Sequence, residues 1–195
     1  MQQVKGAVLK SRLGFIEEHA GTDGLARVLA SLSDDDRATL KRVLPIGWYA
    51  FALGERLDDA IVQVLGHGDQ RFFERLGAAS AERNLTSVHK SYLRPGDPHG
   101  FLERAPAIFR SYYEQGRREY TRTGPTSGVL TTYDADAFSI PDCLTIVGWH
   151  RKALEMCGAV QVTIVETECR ARGATVCRYT VTWKRATGSN NPTVA

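Results

Sequence analysis

The residues best suited to chemistry in this sequence are three cysteines and a glutamate in its last third: Cys143, Glu166, Cys169 and Cys177. In Glu166-Thr167-Glu168-Cys169-Arg170-Ala171-Arg172-Gly173-Ala174-Thr175-Val176-Cys177, an Arg- and Gly-bearing loop separates two runs that read as strands. A hairpin there brings Cys169 and Cys177 together. Side chains alternate along a strand. Val160, Val162, Ile164 and Glu166 therefore share one face, as do Cys177, Tyr179, Val181 and Trp183. Both faces are apolar and belong on the core, which delivers Glu166 and Cys177 to its rim. Strict alternation sends Cys169 to the opposite face, so a bulge or the start of the turn must re-aim it if the two act together. Cys143 falls in the first turn of a helix beginning near Pro141, where the helix dipole favours a thiolate. Two or three thiolates and one carboxylate converging there make a four-ligand tetrahedral site suited to zinc. Without an open position, such a site is structural. The same residues also allow plain thiols in a hairpin, or a Cys169–Cys177 disulfide, which a reducing compartment opposes.

The elements that must position these residues fall in two groups. The first two-thirds read helical. Val8, Leu9, Leu13 and Ile16 recur at helical spacing between Val4 and His19, Gly21 punctuates, and a short helix covers Gly24 to Leu32. Ser33 caps a third helix, with Asp34, Asp35 and Asp36 at the positive end of its dipole; this acidic run reads as a helix start and not a metal loop. Pro45-Ile46-Gly47 breaks the pattern. A long apolar helix runs from Trp48 to Leu65, and the linker Gly66-His67-Gly68-Asp69 leads to another from Gln70 to Asn84, which Asp69 can cap. Helical spacing also covers Ser87 to Leu93, and Phe101 to Gln115 with Pro106 at a boundary or kink. After Gly116 the period changes. Arg117–Thr123 and Gly128–Asp134 form a hairpin, Pro141–Cys157 a helix, and Val160–Cys169 with Val176–Lys184 the closing strands. The expected class is α+β: N-terminal helices on a small antiparallel sheet of about four strands, with one helix crossing between strand pairs. Residues 1–185 read as one domain and 186–195 as a frayed polar tail.

Composition narrows the function. The 195 residues are 43% hydrophobic and 24% charged, and 25 Lys+Arg against 22 Asp+Glu leave a net charge of +3, too small and dispersed to argue for nucleic acid. No apolar run approaches about 18 residues, so no membrane span is expected. MQQVKGAVLKSR lacks a signal-peptide core, which points to the cytoplasm. Nucleophile elbow, P-loop, His-Glu-x-x-His and dinucleotide fingerprint are all absent. His19, His67, His89, His99 and His150 show no metal spacing among themselves, and Glu17-Glu18 and Asp58-Asp59 read as solvated helix faces.

The terminal Cys-x7-Cys hairpin, ending in Cys177-Arg178-Tyr179-Thr180-Val181-Thr182-Trp183 and preceded by a helix that opens with Cys143, resembles the V4R (4-vinyl reductase) domain. Its fold is shared with the Bet3 vesicle-tethering proteins and the haem-NO-binding domains. Lys5-Gly6-Ala7-Val8-Leu9-Lys10-Ser11-Arg12, Gly47-Trp48-Tyr49 and Ala78-x-Ser80-Ala81-x-x-Asn84-Leu85 are closer still to a paralogous family of myxobacterial proteins with such an end. The resemblance implies a zinc ion held by Cys143, Glu166, Cys169 and Cys177, with Cys157 left as a buried thiol. It also implies an apolar cavity between helices and sheet, for which Trp48, Phe51, Phe73, Phe109, Tyr112, Tyr113 and Trp149 are the candidate lining; His150 reads as a satisfied or solvated helix residue. No counterpart is found for the histidine and tryptophan with which phenol-responsive sensors hold their effector, so an aromatic or an acyl ligand is expected equally. The implied function is a non-enzymatic sensory module that binds a small apolar molecule and acts through a partner protein, as a homodimer. The alternative is a constitutive dimerising scaffold whose cavity is filled by core.

Overall fold

The helical first two-thirds are present in the computed structural model, which describes residues 2–66, 68–135 and 138–185; His67 and the expected tail 186–195 lie outside the described residues. Helix α1 (Gly6–Ala30) joins both predicted N-terminal helices across a kink at Gly21, whose φ of 69° is open to glycine without strain. Ser33 caps α2 (Asp34–Lys41) by accepting the Asp36 N–H at 3.2 Å. Helices α3 (Phe51–Val64) and α4 (Phe72–Leu85) follow.

Three expected helices change. Trp48–Ala50 is a strand (β2), paired antiparallel with β1 (Gln3–Lys5), so that Val4 faces Tyr49. Aromatic side chains suit this extended pairing, and the helix starts only at Phe51. Ser87–Leu93 contains one 3-10 turn, Lys90–Tyr92. The Phe101–Gln115 run divides into α5 (Pro98–Leu102) and α6 (Ala105–Tyr112). Pro106 sits in the first turn of α6, where its missing N–H leaves no helical bond unmade.

Among the described residues, strands β3 (Arg117–Gly124), β4 (Ser127–Tyr133), β5 (Ala159–Glu168) and β6 (Cys177–Arg185) form an antiparallel sheet in the order β3-β4-β6-β5. Helix α7 (Ile140–Met156) crosses between β4 and β5. The class is α+β, with helices packed on the sheet. Cys177, Tyr179, Val181 and Trp183 of β6 all face the core as alternation requires. Strand β5 departs from the expected pattern. Its register shifts between Val160 and Thr163, where Gln161 takes a φ of 51°. Val160 is consequently 42% exposed while Ile164 is 6% exposed, so the two do not share the core face.

Helix α4 belongs to two apolar clusters. Phe72, Phe73 and Leu76 pack among the N-terminal helices, while Ala81 and Leu85 pack with α7 and the sheet. Helices α4 and α7 cross at glycines: a Cβ on Gly77 would collide with the Thr145 carbonyl, and one on Gly148 with the Glu74 carbonyl. Gly148→Ala is expected to lower stability by about 1–3 kcal/mol through overpacking. Gly14→Ala, which would meet only the end of the Arg83 side chain, is expected to be neutral or stabilising by up to about 1 kcal/mol. Urea denaturation of both variants checks the contrast.

Candidate metal centre and ligand cavity

A second irregularity in β5 decides where Cys169 points. Glu166 pairs with Tyr179 and Glu168 with Arg178, which leaves Thr167 as an extra residue. The bulge turns Cys169 inward, where it is 4% exposed. Cys143 arrives from the opposite side. Ser139 caps α7 by accepting the Asp142 N–H at 3.2 Å, and the Cys143 N–H donates to the Ser139 carbonyl at 3.0 Å. The Arg170 N–H donates to the Cys177 sulfur at 3.4 Å.

These elements bring Cys143, Glu166, Cys169 and Cys177 together, with one donor atom of each lying within 4.8 Å of the others. The Cys143 sulfur lies 3.8 Å from that of Cys169 and 3.9 Å from that of Cys177. Tetrahedral metal–thiolate bonds of about 2.3 Å put sulfurs about 3.8 Å apart, whereas a disulfide needs about 2.05 Å; all four cysteines are free. Cys143, Cys169 and Cys177 are buried, and Glu166 contributes a buried Oε1 that has no hydrogen-bond partner. A hydrogen bond from Cys143 draws the Cys177 thiol down to about 7, and the same bond, with burial, pushes Cys143 well up. Burial and then the Glu166 carboxylate push Cys169 up. A cluster of such donors can hold a metal ion. Cys157 lies apart from it, fully buried between α7 and the sheet.

A cavity of about 70 Å³ lies where α1, α4, α6, α7 and β3 meet. Phe109, Tyr112, Tyr113 and Trp149 line it; Trp48, Phe51 and Phe73 do not. Trp48 is on the outer strand β2, 39% exposed, with the Lys5 ammonium 3.9 Å from its ring centroid. Phe51 packs on Val4, and Phe73 is fully buried in the N-terminal helical cluster.

The cavity wall holds charge that the sequence reading missed. Arg12 grips Asp58 in a two-pronged pair at 2.5 and 2.9 Å and lies 3.5 Å from Asp142, which also accepts the Tyr113 hydroxyl at 2.9 Å. Asp58 is not on a solvated face: it is 2% exposed. Its place between Leu57 and Ile61, four residues after Gly54, is on the buried stripe of α3. Arg12 likewise continues the stripe of Leu9 and Ile16, so both positions were readable from helical period. Burial outweighs Arg12 and raises the Asp58 carboxyl to about 6; it also raises Asp142. His150 is not solvated either, at 3% exposed.

This helix-on-sheet arrangement is that of the H-NOX domains. The structure is similar to an Fe(II) unliganded H-NOX protein from K. algicida (TM-score 0.72, 12% identity, 95% of this chain and 99% of that one). It is also similar to an H-NOX protein from S. oneidensis in the Fe(II)NO state (TM-score 0.70, 14% identity, 93% and 99%). A third is an oxygen-binding H-NOX domain related to soluble guanylate cyclases (TM-score 0.68, 12% identity, 95% and 97%). At these identities the likeness is one of fold. The sequence profile described as "Protein of unknown function (DUF2378)" matches residues 52–184, and the chain belongs to that family. No curated protein matches the sequence. No helix among the described residues is long and apolar enough to cross a membrane.

Haem does not fit the cavity where α1, α4, α6, α7 and β3 meet. The cavity of about 70 Å³ is far below the roughly 300–1,000 Å³ of cofactor pockets. His99 has both ring nitrogens engaged: Nδ1 accepts the Tyr120 hydroxyl at 2.6 Å and Nε2 donates to the Pro125 carbonyl at 3.0 Å.

Removing the Arg12 cation leaves two buried carboxylates without it. Arg12→Met is expected to destabilise by about 3–5 kcal/mol, and adding Asp58→Leu should recover much of that loss. Chemical denaturation of the two single variants and the double variant checks this coupling.

Proposed function

We propose that this chain is a cytoplasmic, non-enzymatic sensory module of the V4R type, in which Cys143, Glu166, Cys169 and Cys177 hold a structural zinc ion. The observation that carries the reading is the pair of sulfur separations at 3.8 and 3.9 Å, with the fourth donor, Glu166, alongside. Three thiolates suit zinc better than a hard cation. With all four positions taken by protein, the ion contributes a cross-link between α7 and the β5–β6 hairpin and leaves no site for a substrate. In this reading residues 1–185 act as one unit, related to the myxobacterial paralogues, and the cavity takes a small, largely apolar molecule. Helix α7 carries both Cys143 and the cavity residues Trp149 and His150, so ligand and hairpin bear on one rigid element. The output passes to a protein partner or to a second copy, for which Leu44, Ile46 and Trp48 offer exposed apolar side chains at 61%, 79% and 39%.

Elemental analysis with native mass spectrometry tests this directly, and about one zinc per chain is expected. Cys143→Ser, Cys169→Ser and Cys177→Ser should each lose metal and thermal stability, while Cys157→Ser should keep the metal. Cobalt substitution should give the intense visible bands of a tetrahedral thiolate site. Equal, small effects at all four cysteines in a metal-free protein would sink the zinc reading.

A further inference from the structure

Between α2 and β2 the chain exposes an apolar turn on a fixed base. Leu44, Pro45, Ile46 and Trp48 are all exposed. Pro45 and Ile46 are the central residues of a β-turn, closed by the Gly47 N–H donating to the Leu44 carbonyl at 3.0 Å. The backbone on either side of Ile46 is engaged as well. The Leu44 N–H donates to the Tyr49 hydroxyl at 2.8 Å. The carbonyls of Pro45 and Gly47 accept the Ala7 and Gly6 N–H groups at the start of α1, each at 2.9 Å. Gly6 permits this approach, since a Cβ there would collide with the Leu44 carbonyl. On the α2 side the turn is rooted by Leu40 and Val43, both buried in the N-terminal cluster. The exposed apolar side chains therefore stand on a backbone that has little freedom left to lose.

Positive charge flanks this turn. Lys41 and Arg42 precede it, exposed and outside any ion pair among the described residues. The Lys5 ammonium lies over the Trp48 ring. The acidic residues of α2 stand at the opposite end of that helix, and two of the three are already paired, Asp34 with Arg37 and Asp36 with Arg56. This combination matches an anionic bilayer surface, where apolar side chains enter the acyl boundary, a tryptophan sits at headgroup level and cations meet phosphates. Backbone groups that are already hydrogen-bonded suit that water-poor layer. A protein interface is a poorer match: stable ones take about 20–30 residues a side, so a partner or second copy would need a much wider surface than one turn. We propose that this turn docks the protein peripherally on a bilayer bearing anionic lipid. Leu44 and Ile46 insert, Trp48 lies at the interface, and Lys5, Lys41 and Arg42 face the headgroup phosphates. This docking requires neither the metal nor a ligand in the cavity.

The test mixes the full chain with vesicles of phosphatidylcholine alone or of phosphatidylcholine with added phosphatidylserine, and measures co-sedimentation and tryptophan emission. Trp149 and Trp183 are already buried, so a blue shift on binding reports Trp48. The expected result is binding to the anionic vesicles with a blue shift, weakened by added salt, and much weaker binding to the neutral ones. Each cation at such a surface is worth about fivefold, so Lys41→Gln with Arg42→Gln should weaken binding by more than about tenfold. Leu44→Ser with Ile46→Ser should weaken it by at least about tenfold and remove the blue shift. Both pairs alter exposed side chains, so an unchanged thermal midpoint shows that the variants fold. Absence of binding to either vesicle overturns the proposal. So does binding that the serine pair leaves unchanged, which is adsorption by charge without insertion. A dimer in vesicle-free sedimentation velocity that Ile46→Ser dissolves assigns the turn to contact between copies and overturns it too.

Discussion

The close crossing of α4 and α7 at Gly77 and Gly148 is the constraint on which the rest of the molecule rests. Backbone carbonyls of each helix occupy the space where the other would carry a Cβ, so the two helices act as one packed unit. That unit joins the N-terminal helical cluster to the sheet, since α4 contributes to both apolar clusters. It also fixes α7 in two respects: the N-terminal end delivers Cys143 to the hairpin, and the middle delivers Trp149 and His150 to the cavity. A shift of α7 along its axis would move both sites together.

Electrostatics tie the sites in a second way. Arg118 borders both the cavity and a small void of about 10 Å³ beside Cys143 and Cys177. In the proposed zinc-loaded form, three thiolates and a carboxylate around a dication carry an excess of two negative charges, and a neighbouring guanidinium offsets part of it. The pair formed by Arg12 and Asp58 plays the corresponding part at the far wall, where burial would otherwise make either charge prohibitive.

Much of the fold was legible because its signals are local. Helical period located α1, α2 and α7, and the change to strand-like alternation after Gly116 located the sheet. The short β1–β2 pair was not legible, since three-residue strands that meet across some forty positions of chain leave no periodic trace. The four cysteine and glutamate positions were recognisable by type, yet the position of Cys169 was not, because one bulged residue reverses every side chain beyond it. In the cavity, large aromatics drew attention and charges did not. Arg12 and Asp58 sit on apolar stripes of separate helices, and only tertiary packing reveals that each answers the other. Arg118 and Thr132 are paired across the β3–β4 ladder, a relation that depends on register.

The two irregularities of β5 have a consequence for how these molecules behave in company. β5 is an edge of the four-stranded sheet, and it carries exposed Val160 and Val165. A regular edge of that kind is a template on which another chain can add a strand and begin aggregation. Here the ladder is broken near both of its ends, at Gln161 and at Thr167, so only a short central stretch presents evenly spaced donors and acceptors. The distortion that turns a cysteine inward also blunts the edge against unwanted neighbours.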